Sequence, residues 1–212
     1  MLLSRFDLTI SQAKRWFDTK KRNRATPYVI SDSEILENPY VMVEADLGEP
    51  DDSPISMGSI DRGLMPESII SASHPVPQPS YIGSPNDARR VRAGIVSVLQ
   101  YTADQGDSLL SQEETLEKLE QLPLARELTV GEDWIDANQD ILAGVVETLN
   151  VIPDPEEGKT IAALQLREYK DREDYLRKVM IARAKKTIPS LGVDWKDLLI
   201  QAIEEVGGEV EK

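Results

Sequence analysis

The chain has 212 residues, 40% of them hydrophobic and 29% charged, a composition typical of a folded protein of one or two domains. The absence of cysteine excludes disulfides, a single histidine excludes the usual zinc ligand sets, and the net charge of −14 repels polyanions except at local basic patches. Because no apolar run reaches the roughly 18 residues of a membrane span, and charge comes too early for a secretory signal, we expect a cytoplasmic protein without a membrane partner.

The first part of the chain, residues 1–47, is predicted to be a helical region. One helix is expected over residues 9–21, with Phe17 among its apolar contacts. A second helix is expected from about Ser33, capped by a nearby serine, and ends before Pro39 because proline disfavours a helical residue ahead of it.

Residues 48–85 are rich in Pro, Ser, Asp and Gly. Within them, 55–60 is compatible with a short strand or turn, and Ile69 and Ile70 are candidate apolar anchors. The segment is too long for an ordinary compact loop. It is therefore either an irregular acidic cover packed on its neighbours or a mobile linker.

Residues 86–170 predict a helix, a short helix, a third helix and two strands, the outline of a winged-helix module. The first helix has a stripe of apolar residues on one face, Val91, Ile95, Val98 and Leu99. The second covers 112–121, with Ser111 as N-cap and Glu114 in the capping-box position. The third is expected over 141–149.

Two short strands are expected after the third helix, at 151–152 and 160–166, joined by a loop in which Gly158 stands where a positive φ is needed. Residues 171–212 then predict two more helices, the second capped by Asp194. The expected fold class is mainly α with a small β-hairpin: a helical N-terminal region, a winged-helix module and a C-terminal helical extension.

Two basic clusters interrupt the acidic sequence. The first lies in the N-terminal region and contains Lys14, Arg15, Lys20, Lys21, Arg22 and Arg24. The second lies on the helix beginning near Arg172 and contains Arg177, Lys178, Arg183, Lys185 and Lys186. Either cluster can be a solvated helix face or a contact for phosphate or a partner.

Several segments resemble the region that precedes the ATPase motor in RecD-like DNA helicases of the exodeoxyribonuclease V alpha-chain type. The string R-R-V-R-A-G-I-V-S-V-L-Q at 89–100, followed by 105–114, is similar to a helix and turn of that family. Glu37-Asn38-Pro39-Tyr40 is similar to the E-N-P-Y that opens the family's helix-hairpin-helix-like region, and 173–184 resembles the helix leading to the motor.

The resemblance implies a motor domain in the same parent protein as a partner, and ATP and Mg only for that motor. This chain departs from the family at 56–63, where the glycines of a phosphate-gripping hairpin are displaced. Its Gly158-Lys159-Thr160 lacks the first P-loop glycine and follows two glutamates. We therefore expect no enzymatic activity, cofactor or metal in this chain.

The expected function is that of a non-catalytic accessory region of a RecD-like helicase, positioning single-stranded or forked DNA or bracing the motor. The candidate DNA contacts are Lys20, Lys21, Arg22, Arg24, Arg89, Arg90, Arg92 and Lys159. The predicted third helix carries acids and no Lys or Arg, which argues against base readout in the major groove. The alternative is a winged-helix module that binds a protein and not DNA.

Overall fold

The computed structural model describes residues 2–153, 156, 158–186, 192 and 194–205. These residues are mainly helical and include a three-stranded antiparallel sheet. The chain divides into two compact units, Met1–Arg172 and Glu173–Lys212. The first unit therefore holds together segments that the sequence analysis treated as three separate parts.

Four short helices form the N-terminal region: α1 (Ile10–Phe17), α2 (Thr19–Ala25), α3 (Asp32–Glu37) and α4 (Val41–Ala45). The single helix expected over 9–21 is wrong because Asp18 leaves the helical conformation, at φ −87° and ψ 114°. Its carboxylate accepts the backbone N–H groups of Lys20 and Lys21 at 2.8 and 3.0 Å, which begins a new helix. The apolar contact expected of Phe17 is also wrong, since its side chain is 70% exposed.

The proline-rich segment 48–85 packs on the helices as a cover. It contains α5 (Met57–Leu64) and α6 (Ser68–Ser73). Its buried apolar anchors, all at most 8% exposed, are Ile55, Met57, Ile60, Leu64, Met65, Val76 and Ile82. The anchors expected at Ile69 and Ile70 are wrong, since these side chains are 80% and 51% exposed. Because α5 occupies 57–64, the glycines at 58 and 63 lie in a helix and not in a hairpin.

The long helix α7 (Ala88–Asp104) contacts α4, α5 and the elements that follow it. Its predicted apolar stripe is confirmed, since all four side chains are at most 3% exposed. Gly94 lets neighbouring side chains approach the helix closely: a Cβ there would lie 2.6 Å from Leu119 and 2.9 Å from Leu128.

After α7 come β1 (Leu109–Ser111), α8 (Gln112–Glu120), α9 (Asp133–Ala137), α10 (Gln139–Leu142), β2 (Val146–Val151) and β3 (Ile161–Leu166). The third helix expected over 141–149 is wrong beyond Leu142. Gly144 adopts a positive φ of 89° that ends the helix, and the β-branched residues that follow favour a strand.

The sheet has the order β1-β3-β2, with both pairs antiparallel. Its β2–β3 register runs from Val146 opposite Leu166 to Val151 opposite Ile161. The positive φ predicted for Gly158 is confirmed at 63°. The expected hairpin is thus present. Its first strand begins earlier than expected, at Val146, its second matches the expected range to within one residue, and the three-residue β1 adds a third strand.

Two helices form most of the C-terminal part that is described, α11 (Arg167–Ala184) and α12 (Trp195–Glu205). The predicted cap at Asp194 is confirmed, because its carboxylate accepts the N–H groups of Lys196 and Asp197 at 2.9 and 3.4 Å. No residue of α11 is buried. None of the helices in the described part of the chain combines the length and apolar character needed to cross a membrane.

Two capping boxes begin helices where serine was expected as a cap. Ser111 accepts the N–H of Glu114 at 3.1 Å, and its own N–H donates to that carboxylate at 3.2 Å. Ser31 and Glu34 make the same reciprocal pair at α3. The side-chain and backbone hydrogen bonds from Ser111 lower the pKa of Glu114 below its ordinary value of 4.5.

Glu114→Gln is expected to flatten the acid dependence of stability. Because the folded-state pKa of Glu114 is depressed, its contribution is present above about pH 4.5 and is lost as the pH falls through the folded value. Urea midpoints measured between about pH 6 and pH 3.5 should therefore fall less in the variant than in the wild type. Equal declines in both proteins would contradict this linkage.

Gly63→Ala is expected to destabilise the protein by about 1–3 kcal/mol, although alanine favours helices. The new Cβ would lie 2.5 Å from a ring carbon of Phe6 and 2.6 Å from the Arg5 carbonyl oxygen. Gly58→Ala on the same helix is the matched control, because its Cβ would meet only the flexible end of Arg62 at 3.2 Å. In thermal unfolding, Gly63→Ala should lower the Tm relative to the wild type, and Gly58→Ala should raise it.

Candidate nucleic-acid interface

Three of the predicted DNA contacts lie exposed on α2: Lys20, Lys21 and Arg24, here called the α2 basic surface. Within the described part of the chain, none of their side chains forms an ion pair with a carboxylate. The exposed ring of Phe17 precedes them in sequence. Free cations of this kind suit contact with a phosphate backbone.

Arg22, the fourth DNA contact predicted in this region, points inward and is 2% exposed. Its Nη1 donates to the Trp16 carbonyl oxygen at 3.1 Å, and its Nη2 donates to Asp32 at 2.7 Å. These bonds connect α2 with α1 and α3. In this fold Arg22 connects helices and cannot reach a phosphate. Its prediction as a DNA contact, which was made from the basic residues beside it in sequence, is therefore wrong.

Arg90 is fully buried, and it also cannot contact DNA in this fold. Its Nε and Nη2 donate to the two carboxylate oxygens of Asp61 at 2.6 and 2.9 Å, and Nη1 donates to the Pro85 carbonyl at 2.7 Å. The Tyr40 hydroxyl donates to the same Asp61 at 2.7 Å. Burial, reinforced by the charge of Asp61, raises the pKa of the Tyr40 hydroxyl and keeps it a donor.

Arg89 and Arg92, the other arginines of the 89–100 string, are also engaged inside the first unit. Arg89 donates to the carbonyl oxygens of Glu37, Pro79 and Tyr81 at 2.7, 3.1 and 2.8 Å. Arg92 forms a two-bond pair with the buried Glu44. Burial raises the pKa of Glu44 even though Arg92 opposes that shift. Most N–H donors of both side chains are therefore used in bonds within the protein.

Lys159, the remaining candidate, is exposed in the loop between β2 and β3. It follows Gly158, which is also exposed. In the described residues no ion pair engages Lys159. It is therefore available to a ligand, on a different element from the α2 basic surface.

Arg15 is 1% exposed and forms a buried ion pair, so its placement in the first basic cluster as a solvated or phosphate-contacting residue is wrong. Its Nε and Nη2 donate to Asp46 at 2.9 and 2.7 Å, and its Nη1 donates to Asp52 at 2.9 Å. The partners lie more than thirty residues away in sequence. No local pattern signals such a contact, and Arg15 resembles the exposed lysines around it.

Residues 127–158 are strongly acidic and contain no Lys or Arg. Asp133, Asp136 and Asp140, which lie on α9 and α10, are exposed. This face repels a phosphate backbone. Among the described residues, no group of three or more acidic, His or Cys side chains is arranged to hold a metal ion.

Comparison of the chain with protein-family models, with curated proteins and with solved structures finds no match.

Asp61→Ala is expected to destabilise the protein by about 3–5 kcal/mol, because it leaves the buried Arg90 without its anion. Glu147→Ala is the matched control. It breaks a pair with Arg167 in which the side chains are 34% and 48% exposed, and such pairs contribute at most about 1 kcal/mol. Urea unfolding of both variants measures the difference, and similar losses would show that Arg90–Asp61 contributes no more than a surface pair.

Proposed function

We propose that this chain is a non-catalytic accessory region of the kind that precedes the motor in RecD-like DNA helicases. In this proposal its first unit braces the motor as one rigid body, and its exposed cations position single-stranded or forked DNA. The motor, supplied by the same parent protein, would hold ATP and Mg.

The observation that carries the proposal is the contact between two of the segments that carry the resemblance. Tyr40, from the E-N-P-Y segment, and Arg90, from the arginine string, meet on the carboxylate of Asp61. Arg89 adds a bond to the carbonyl of Glu37 at 2.7 Å. Because these motif residues hold the first unit together, a bracing role accounts for them better than a direct grip on DNA.

The arrangement of residues 88–166 supports a winged-helix module in this accessory region. Its order is helix, strand, three short helices and two strands, and the strand order β1-β3-β2 places the first strand beside the last. The loop between β2 and β3 corresponds to the wing, and it carries the exposed Lys159. The acidic α9 and α10 correspond to the helix that reads bases in other such modules, so base-specific contacts are not part of the proposal.

The acidic face favours a second candidate, a winged-helix module that binds a protein partner without DNA. The two functions differ in their response to salt. Phosphate contacts weaken with salt in proportion to their number, whereas an apolar protein interface changes little.

Lys20→Ala, Lys21→Ala and Arg24→Ala together are expected to abolish salt-sensitive binding of single-stranded and forked DNA by the α2 basic surface. Removing three phosphate contacts should lower the log–log salt slope by about 2, at roughly 0.7 per contact on single strands. Fluorescence anisotropy of labelled DNA at about 50 and 200 mM salt gives the measurement. Arg22 is left unchanged because it is buried.

The matched control is Arg62→Ala, Lys118→Ala and Arg126→Ala, which removes the same charge from exposed positions elsewhere. This variant should keep most of the binding. If both triple variants lose affinity equally, the effect is one of net charge, and the α2 basic surface has no special role. If the wild type binds no DNA even at the lower salt, the DNA role fails and the protein-interaction candidate is favoured.

A further inference from the structure

The second half of α11 and the two residues after it form a second basic surface. Residues 175–186 contain five Lys or Arg and no Asp or Glu, in a chain whose net charge is −14. Backbone bonds from Lys185 to Ile181 and from Lys186 to Arg183 continue the helical turn past Ala184. The α11 basic surface is defined here as Arg177, Lys178, Arg183, Lys185 and Lys186.

The cations of the α11 basic surface are exposed and, within the described residues, form no ion pair. The first half of the same helix differs. Arg167 pairs with Glu147 at 2.7 Å, and Arg172 pairs with Glu168 at 3.2 Å. Intramolecular acids therefore neutralise the cations of the first half of α11, while those of the second half remain available to an external anion.

Exposed apolar side chains lie before and between these cations in sequence. Tyr175 is 67% exposed and Met180 is 68% exposed. At about 100° per residue, Arg183 falls within the arc that Leu176, Val179 and Met180 define, so it interrupts their apolar face. A helix that lies in a membrane surface needs such a face to be continuous. A strand of phosphates with exposed bases suits a mixture of cations and an aromatic ring.

We propose that residues 175–186 bind single-stranded nucleic acid, with the five cations on its phosphates and a base stacked on Tyr175. The site is separate from the α2 basic surface, and it stands even if α2 makes no DNA contact. It goes beyond the accessory function proposed above by assigning a ligand to the second unit of the chain.

The site can be tested in the full chain without disturbing the core, because no residue of α11 is buried. The test variant is Arg177→Gln, Lys178→Gln and Arg183→Gln. The matched control is Arg167→Gln, Lys170→Gln and Arg172→Gln, which removes three cations from the first half of the same helix. Circular dichroism confirms that both variants keep their helix content.

Anisotropy of a labelled oligo(dT) of about 30 nucleotides at about 50 mM salt measures binding. The test variant should bind roughly tenfold more weakly and show a salt slope lower by about 2, while the control stays close to the wild type. Oligo(rU) of the same length distinguishes RNA from DNA as the ligand. The α2 triple variant, measured in parallel, reports separately on the function proposed above.

Stacking is tested by Tyr175→Ala, which should weaken oligo(dT) binding about fivefold or more, and by Tyr175→Phe, which should retain it. Blunt duplex DNA should bind more weakly than oligo(dT), because its bases do not offer their faces. The proposal is overturned if oligo(dT) does not bind, or if test and control variants lose affinity equally. Preferential binding to phosphatidylglycerol vesicles would also overturn it and identify a lipid surface as the ligand.

Discussion

The first unit depends on one buried ion pair, Arg90 with Asp61. Asp61 receives two bonds from Arg90 and one from Tyr40, and all three residues are at most 1% exposed. Removing a charged pair from water is costly, and the cost is offset only when nearly every donor and acceptor is satisfied. Here the remaining donors of Arg90 meet backbone carbonyls, including that of Pro85. The pair therefore requires the N-terminal helices, the 48–85 cover and α7 to adopt one mutual arrangement.

Similar ion pairs between an arginine and a buried carboxylate join Arg15 with Asp46 and Arg92 with Glu44. Each pair joins elements distant in sequence, and in each the carboxylate is fully buried. A pair of this kind selects one packing over near alternatives because a shifted helix would leave a buried charge without a partner. For a region proposed to brace a motor, this geometric selection is as relevant as the stability that the pairs contribute.

Features set by local physics could be predicted from the sequence. The apolar stripe of α7, the Ser111 capping box and the positive φ of Gly158 each depend on a few neighbouring residues. Tertiary contacts decided the rest. The apolar residues of 146–149 have the spacing of a helix, yet these residues form β2 because they pair with β3. The role of Arg90 could not be predicted because its partner, 29 residues away, is identified only once the chain has folded.

The length of α7 has a mechanical consequence. At 1.5 Å per residue its 17 residues span about 25 Å, and along that span it packs on α4 and α5 as well as on β1 and β3. The ion pairs of Arg90 with Asp61 and of Arg92 with Glu44 fix the helix to α5 and α4. Within the first unit, the length of α7 therefore sets the spacing between these helices and the sheet.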